Sequence, residues 1–278
     1  KMEKHEIIIN KIKKRLFLSI CFIFFCIIVF YFLNYYFRMQ ESLKYFGAFY
    51  SQSELTILEK NINPLQKTLY SDNYEISLKG VWTQETCTSL ILMIHSPDNN
   101  ILNVDDIKYN IENMEKVDAE IGNVTLGDVD YIKDYKEDIL LEIKYLCDKS
   151  CRKLNLNVCI NNEKFLFEIP VVRSGVYEHY VPEKNKNSGY DIYDIYLSPI
   201  STCIITSTQN MDLSDAEFSL NSIDNSDIVI KMKYMPVVSN NTNDKKKIHM
   251  AFSDTVLDTQ KIETITIGEM TYIKSKER

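Results

Sequence analysis

The hydrophobic and polar positions of this chain change pattern along its length, and the pattern begins with an unbroken apolar run. Residues Leu16 to Phe37 contain neither a charge nor a proline. A helix rises about 1.5 Å per residue, so this run can cross a hydrocarbon core about 30 Å thick. A basic segment that ends at Arg15 precedes it. Because basic flanks stay in the cytoplasm, we expect residues 1–15 inside, a membrane helix over 16–37, and the rest outside.

A cleaved signal peptide is the alternative interpretation of this run. Such a peptide has an apolar stretch of about 7–15 residues followed by small residues at a cleavage site. Here the run is longer and passes into Asn34–Arg38 without an A-x-A-like pattern. The sequence therefore favours an uncleaved anchor that contacts the lipid bilayer through residues 16–37.

The next pattern has the spacing of a helix. Apolar positions recur on one helical face at Met39, Leu43, Phe46 and Tyr50. Ser51–Glu54 matches the S-x-x-E capping box, which starts a helix. Leu55, Leu58 and Ile62 would lie on this second helix, and Pro64 would end it. The pattern predicts a helical stalk over residues 38–64.

From Asn73 onward, apolar and polar residues alternate with the period of a β-strand. The clearest alternation lies at residues 74–79, 139–145, 154–160 and 165–169. These segments read as strands with one solvated face. Leu90–Ile94 is apolar throughout, which predicts a strand buried on both faces. Asn161-Asn162 has the composition of a hairpin turn. Outside the stalk, the one segment considered for a helix longer than two turns is Asp105–Val117.

The alternation is interrupted once, which suggests a domain boundary. Pro170 ends one series of strands, Val181–Gly189 is polar, and a second series starts at Ile192. Short strands with turns at this spacing are typical of β-sandwiches. We therefore predict a mainly β fold with two immunoglobulin-like sandwiches, over residues 65–175 and 190–278, joined by a linker over residues 176–189.

Charge limits the partners that the external part can have. Residues 1–38 hold seven Lys/Arg and two Glu, and the chain carries −7 in all, so the remainder carries −12. An acidic exterior argues against nucleic acid and against attraction to anionic lipid. The roughly 240 external residues suffice for two ordinary domains.

The external cysteines are five in number, so they cannot all pair within one chain. Cys147 and Cys151 flank three residues between two predicted strands. Opposed residues of an antiparallel pair lie within the distance that a disulfide spans. A disulfide between them and two separate thiols are both compatible with the sequence.

Known catalytic and metal-binding patterns do not emerge from the chain. His5, His95, His179 and His249 lack zinc-site spacing, and the nucleophile elbow, P-loop and dinucleotide fingerprint do not occur. Ser150–Lys153 matches S-x-x-K, but at a predicted hairpin rather than on a helix. Asp128–Asp134 departs from a calcium loop. We therefore predict no catalytic residue, no cofactor site and no metal ligand.

Three short segments carry a resemblance to a family. They are Tyr74–Lys79, Ile195–Thr202 with its S-P-x-S sequence, and Phe252–Gly268. Through them, residues 58–172 and 190–273 resemble the paired external domains of membrane proteins from low-GC Gram-positive bacteria. These proteins are often encoded beside extracytoplasmic-function sigma factors. The resemblance implies immunoglobulin-like domains of unknown function, without catalytic residues to transfer.

Together these features predict a single-pass protein of the cell membrane that acts outside the cell as an interaction or sensing module without catalysis. Its partner would be an envelope protein or a wall component, and the resemblance links it to sigma-factor signalling. The alternatives are an envelope enzyme with an unrecognised carboxylate site and a subunit of a larger membrane assembly. A cleft with paired carboxylates of raised pKa would favour the enzyme. A flat tyrosine-rich face would favour the interaction module.

Overall fold

The computed structural model describes residues 2–83, 87–96, 107–112, 124–126, 139–146, 152–171, 177–183, 192–207, 217–223, 227–231, 237–238, 246–253 and 255–275. This part of the chain is mainly β and antiparallel, with helices at its N-terminal end. The helices are α1 (Met2–Phe46) and α2 (Gln52–Leu58), and a 3₁₀ turn over Glu59–Asn61 follows.

The strands form two groups, which we call the first unit and the second unit. The first unit contains β1 (Ile62–Asn63), β2 (Lys67–Tyr70), β3 (Glu75–Thr83), β4 (Cys87–His95), β5 (Ile107–Glu112), β6 (Val124–Leu126), β7 (Ile139–Leu146), β8 (Lys153–Ile160) and β9 (Glu163–Pro170). The second unit contains β10 (Glu178–Pro182), β11 (Ile192–Leu197), β12 (Ser201–Ser207), β13 (Glu217–Ser222), β14 (Asp227–Lys231), β15 (Val237–Val238), β16 (Lys246–Phe252), β17 (Ile262–Ile267) and β18 (Met270–Lys274).

The apolar run lies within α1, which is one continuous helix. Among the described residues, Lys14–Phe46 is long and apolar enough to cross a membrane. The large apolar side chains from Leu16 to Phe37 are exposed. A helix that is apolar on all sides is typically either buried in protein or placed in a membrane. Since protein does not cover this part of α1, its surface suits lipid.

Two sheets pack face to face in the first unit. A six-stranded sheet has the order β1-β3-β4-β7-β6 with β2 also paired to β3, and a three-stranded sheet has the order β5-β8-β9. One apolar cluster combines buried side chains of both sheets. The predicted double burial of Leu90–Ile94 is confirmed, because alternate residues of β4 face this cluster and a second cluster on the opposite side.

The hairpin between β8 and β9 follows its sequence signal. Asn161 and Asn162 join the two strands with φ angles of 47° and 72°. Asparagine adopts this left-handed region more readily than most residues, so the turn matches the predicted Asn-Asn hairpin. The helix considered for Asp105–Val117 is wrong, because Ile107–Glu112 forms β5 and pairs with β8.

The second unit is one continuous nine-stranded sheet. Its order is β14-β13-β17-β18-β10-β11-β12-β16-β15. Side chains from six of these strands, together with Leu257, form a third apolar cluster. The second series of predicted strands is therefore present, and it shares one hydrogen-bonded sheet.

The predicted boundaries need two corrections. The linker over residues 176–189 contains β10, which pairs with β11 and β18 and buries Tyr180 completely. Two polar residues, Glu178 and His179, are followed by two apolar ones, Tyr180 and Val181, so no alternation marks this strand in the sequence. The stalk over residues 38–64 is not separate from the first unit, because Ile62 belongs to β1 and α1 packs on β3.

The proposed disulfide partners Cys147 and Cys151 lie outside the described residues. The acidic segment Asp128–Asp134 and residues 184–191 also lie outside them.

Candidate functional site

One apolar cluster joins the end of the apolar helix to both units, and we call it the junction. It contains buried residues of α1 and α2, of the outer face of the six-stranded sheet, and of the start of β12 in the second unit. These residues are Tyr45, Phe46, Tyr50, Leu55, Leu58, Ile62, Trp82, Ile91, Met93, Leu140, Ile200 and Cys203.

A β-bulge in β3 receives the end of α1. The register of β3 on β4 shifts between Leu78 and Gly80, which leaves Lys79 as the extra residue. The Lys79 carbonyl accepts a hydrogen bond from Ser42 Oγ at 2.6 Å. A side chain at Gly80 would meet Phe46 Cε2 at 3.0 Å and Ser42 Cβ at 3.1 Å. Glycine at this position therefore lets the helix lie directly on the strand.

Charged groups also hold the helix at this bulge. Lys79 Nζ lies 4.9 Å from the centre of the Tyr45 ring, a cation–π distance. The same ammonium is 4.0 Å from Glu41 Oε1. Glu41 Oε2 accepts a hydrogen bond from Gln66 Nε2 at 2.8 Å. The first two turns of α1 beyond the apolar run are thus tied to β3 and to the loop before β2.

A buried carboxylate lies at the centre of the polar contacts of the junction. The side chain of Glu142 is 2% exposed. The Tyr50 hydroxyl donates a hydrogen bond to Glu142 Oε1, and Ser89 Oγ donates to the same oxygen at 2.6 Å. Lys144 Nζ is 3.2 Å from Glu142 Oε2 and 5.1 Å from the centre of the Tyr50 ring. The burial of this charge is balanced by a cation and two hydroxyl donors, as a buried ion requires.

The capping box of α2 connects the first turn of this helix to the second unit. Ser51 N–H and Ser51 Oγ donate to Glu54 Oε2 at 2.8 and 2.7 Å, so the predicted capping box is confirmed. Burial alone would raise the pKa of the Glu54 carboxyl. Hydrogen bonds from Ser51 and from the backbone of Val256, with the charge of Lys144, hold this pKa below its ordinary value of 4.5. Glu54 is therefore an ionised link between α2 and the loop that precedes β17.

The second unit reaches the junction through the turn between β11 and β12. Ser198 Oγ accepts a hydrogen bond from Ser201 N–H at 2.9 Å, and the two hydroxyls are 2.7 Å apart. The carbonyls of Pro199 and Ile200 accept bonds from Leu257 and Ser253 N–H at 2.8 and 2.9 Å. These bonds fix the S-P-x-S turn so that the Ile200 side chain, 2% exposed, enters the junction.

A histidine–aspartate pair borders the junction on the second unit. His179 Nε2 is 2.8 Å from Asp194 Oδ1. The His179 ring stacks on the Tyr196 ring with centroids 4.7 Å apart and planes 9° apart. Tyr177 meets Tyr196 edge-on at 5.1 Å. Tyr196 itself packs against the junction, so this aromatic group extends the cluster across β10 and β11.

No group of three or more His, Cys, Asp or Glu side chains that could hold a metal ion occurs within the described residues. His249 is 3% exposed, and its Nε2 lies 3.0 Å from Thr206 Oγ1. Glu142 and Lys144 were not recognisable as a site from sequence, because they occupy polar positions of an alternating strand, which is the pattern of a solvated face.

Comparisons with known proteins give limited context. No protein-family model matches the chain, and no curated protein matches it. Among solved structures, the chain is similar to a conserved domain protein from Bacillus anthracis at 12% sequence identity and a TM-score of 0.43. That similarity covers 72% of this chain and 74% of the other.

We expect Glu54→Gln to reduce the acid sensitivity of folding. Because the pKa of Glu54 is lower in the folded than in the unfolded chain, the ionised carboxylate stabilises the folded chain above the unfolded pKa. This stabilisation is lost as the pH falls through the folded pKa. The free energy of unfolding of the wild-type chain should therefore fall more steeply below about pH 4.5 than that of the variant.

Urea unfolding of the full chain in detergent micelles, repeated across this pH range, measures the difference. Trp82 is the only tryptophan and is fully buried in the junction, so its fluorescence reports the relevant transition. Parallel pH dependences for the two chains would contradict the link through Glu54.

Proposed function

We propose that this chain is a membrane-anchored extracytoplasmic interaction or sensing module without catalytic activity. Residues 16–37 would span the cell membrane, residues 1–15 would lie in the cytoplasm, and both units would face the envelope. The finer fold that we propose is a pair of immunoglobulin-like sandwiches, of which the second has its two layers joined in one continuous nine-stranded sheet. A connection with sigma-factor signalling follows from the resemblance of the sequence to that family.

The observation that carries this proposal is the junction. Side chains from the end of α1, from the first unit and from the second unit share one buried cluster. A partner that displaced the second unit would disturb Ile200 and Cys203, and thereby the packing around Phe46 at the end of α1. A ligand can shift such a packed element only by binding one arrangement better than the other. The junction supplies a physical path for that shift.

Charge indicates the kind of partner. The part of the chain beyond residue 38 carries a net charge of −12. Complementary charge favours and orients association, so a protein or wall component with a neutral or basic surface fits best.

Crosslinking in intact cells tests the proposal directly. Cells that produce the full chain are treated with a cleavable, membrane-impermeant crosslinker, and the captured material is compared with that from an unrelated single-pass protein produced at the same level. We expect an envelope component to be enriched.

Protease digestion of spheroplasts tests the topology. Protease added outside should digest the chain beyond Arg38.

Two results would contradict the proposal. Protection of the residues beyond Arg38 would reverse the topology. Turnover of a wall polymer by the purified chain, without any captured partner, would favour an enzyme instead.

A further inference from the structure

We propose that the edge of the six-stranded sheet formed by β2 rests on the headgroup region of the bilayer that α1 crosses. The partner is the lipid surface itself, and the contact is made by phosphate-bearing headgroups. This inference rests on the membrane-spanning role proposed above for residues 16–37.

The distance along α1 brings the first unit to the membrane. The apolar run ends at Phe37, and Met39 already packs against the junction. Glu41 accepts a hydrogen bond from Gln66, in the loop before β2, at 2.8 Å. Four helical residues rise about 6 Å. Glu41, which binds the loop before β2, therefore lies only about 6 Å along the helix axis from the end of the apolar run.

The direction of α1 places β2 nearest to the bilayer. Ser42 contacts β3 at Lys79, whereas Tyr50, beyond the end of the helix, contacts β7 at Glu142. β1 and β2 pair with successive parts of β3 on the same side, and β4 and then β7 follow on the other side. From Tyr50 back towards Phe37, the contacts of the chain therefore pass from β7 to β3 and then to the loop between β1 and β2, where Glu41 meets Gln66. The edge formed by β1 and β2 consequently lies between the bilayer and strands β4 and β7.

The side chains at this edge suit the headgroup region. Tyr70 is 73% exposed at the end of β2, and Lys67 begins the strand. Amphipathic aromatic rings and basic residues are typical of membrane interfaces. Arg38 adds a positive charge beside the apolar run, while Glu41 is near Lys79. Among the described strands, β2 pairs only with β3, so hydrated headgroups would cover an otherwise open sheet edge.

The contact is set by geometry rather than by net charge. The part of the chain beyond residue 38 carries −12 as a whole, but the length and direction of α1 bring this edge of the sheet to the bilayer. Arg38 supplies a positive charge beside the apolar run, whereas the Lys67 ammonium lies 6.0 Å from the centre of the Phe167 ring. The stalk predicted over residues 38–64 would have lifted the units away from the membrane. The packing of Met39 and Glu41 leaves no free helix of that length.

Lipids with a photoreactive group on the headgroup test the proposal with the unmodified full chain. The chain is reconstituted in vesicles, irradiated and digested with trypsin, which releases residues 61–67 and 68–79 as peptides that carry the edge. The matched variant has seven polar, helix-forming residues inserted between Phe37 and Arg38. This insertion adds nearly two turns, so it raises the units by about 10 Å and keeps the helix face almost unchanged.

We expect headgroup label on both peptides of the wild-type chain and a several-fold lower yield in the insertion variant. Flotation of the vesicles in a density gradient measures anchoring separately. A chain that does not float would contradict the membrane-spanning role. A chain that floats without label on residues 61–79, or with equal label after the insertion, would overturn the proposal for β2.

Discussion

Replacement of Glu142 by alanine should destabilise the folded chain by about 3–5 kcal/mol, the range expected when one partner of a buried ion pair is removed. Lys144 would lose the carboxylate that lies 3.2 Å away, and it has only an 18% exposed side chain through which water could compensate. The Tyr50 and Ser89 hydroxyls would lose their acceptor at the same time. Buried donors without partners add to the loss of stability.

Unfolding of the full chain in detergent micelles, followed by Trp82 fluorescence, measures this loss. Glu142→Gln should fall between the wild type and the alanine variant, because its carbonyl can still accept from Tyr50 and Ser89 but cannot neutralise Lys144. Glu168→Ala is the control, since Glu168 pairs with Lys153 at 2.8 Å on the surface, where both side chains are more than half exposed. We expect little change there. Equal effects of Glu142→Ala and Glu168→Ala would mean that the buried network does not stabilise the junction.

The strands were predictable because alternation is a local signal. Buried residues alternate with partly buried ones over 154–160 in β8 and with exposed ones over 165–169 in β9, as the sequence indicates. The turn at Asn161-Asn162 needs two positive φ angles, which asparagine supplies locally. Each of these features is encoded within about eight residues of sequence, so a single sequence suffices.

The junction was not predictable in the same way, because it depends on contacts between distant segments. Alternation in β7 assigns Glu142 and Lys144 to one face of the strand, and this assignment is correct. The alternation does not reveal that Tyr50, 92 residues away in sequence, covers that face of the strand. A face of a strand that carries a charged pair can be covered either by water or by a second layer of protein. Here the path of α1 decides the outcome, because it brings Tyr50 onto this face.

The segment after the apolar run shows the same limit. The helical spacing of Met39, Leu43 and Phe46 correctly predicts an apolar face on the helix beyond the apolar run. Nothing local identifies its partner, which is the β-bulge at Lys79 and Gly80. Glycine in a strand is a recognised sign of close approach by other backbone or side chains. Gly80 is the one residue whose type pointed to this docking position.

These contacts make the end of α1 part of the folded β units rather than a separate tether. Phe46 is fully buried, its ring lies against Gly80, and it stacks on Tyr50 at a centroid distance of 6.2 Å. Tyr50 in turn binds Glu142, and Lys144 contributes to the low pKa of Glu54, which holds Val256. One helix end is thus connected to the second unit through a short series of hydrogen bonds, ring contacts and charge interactions.

Phe46→Ala should therefore loosen the junction as a whole. Deletion of a fully buried phenylalanine side chain costs about 3–5 kcal/mol. Phe37→Ala is the matched control on the same helix, because the Phe37 side chain is 66% exposed. Trp82 fluorescence should show a lower unfolding midpoint for Phe46→Ala and a nearly unchanged one for Phe37→Ala.

The thiol of Cys203 gives a second measurement of the same change. Cys203 belongs to the second unit, lies in the junction and is 4% exposed. If Phe46 holds the two units together, Phe46→Ala should raise the rate at which a thiol reagent modifies Cys203, followed by peptide mass spectrometry. A loss of about 3 kcal/mol from closure of the junction corresponds to roughly a hundredfold rate increase. An unchanged Cys203 rate in a destabilised Phe46→Ala chain would show that the helix end stabilises the first unit without controlling the position of the second.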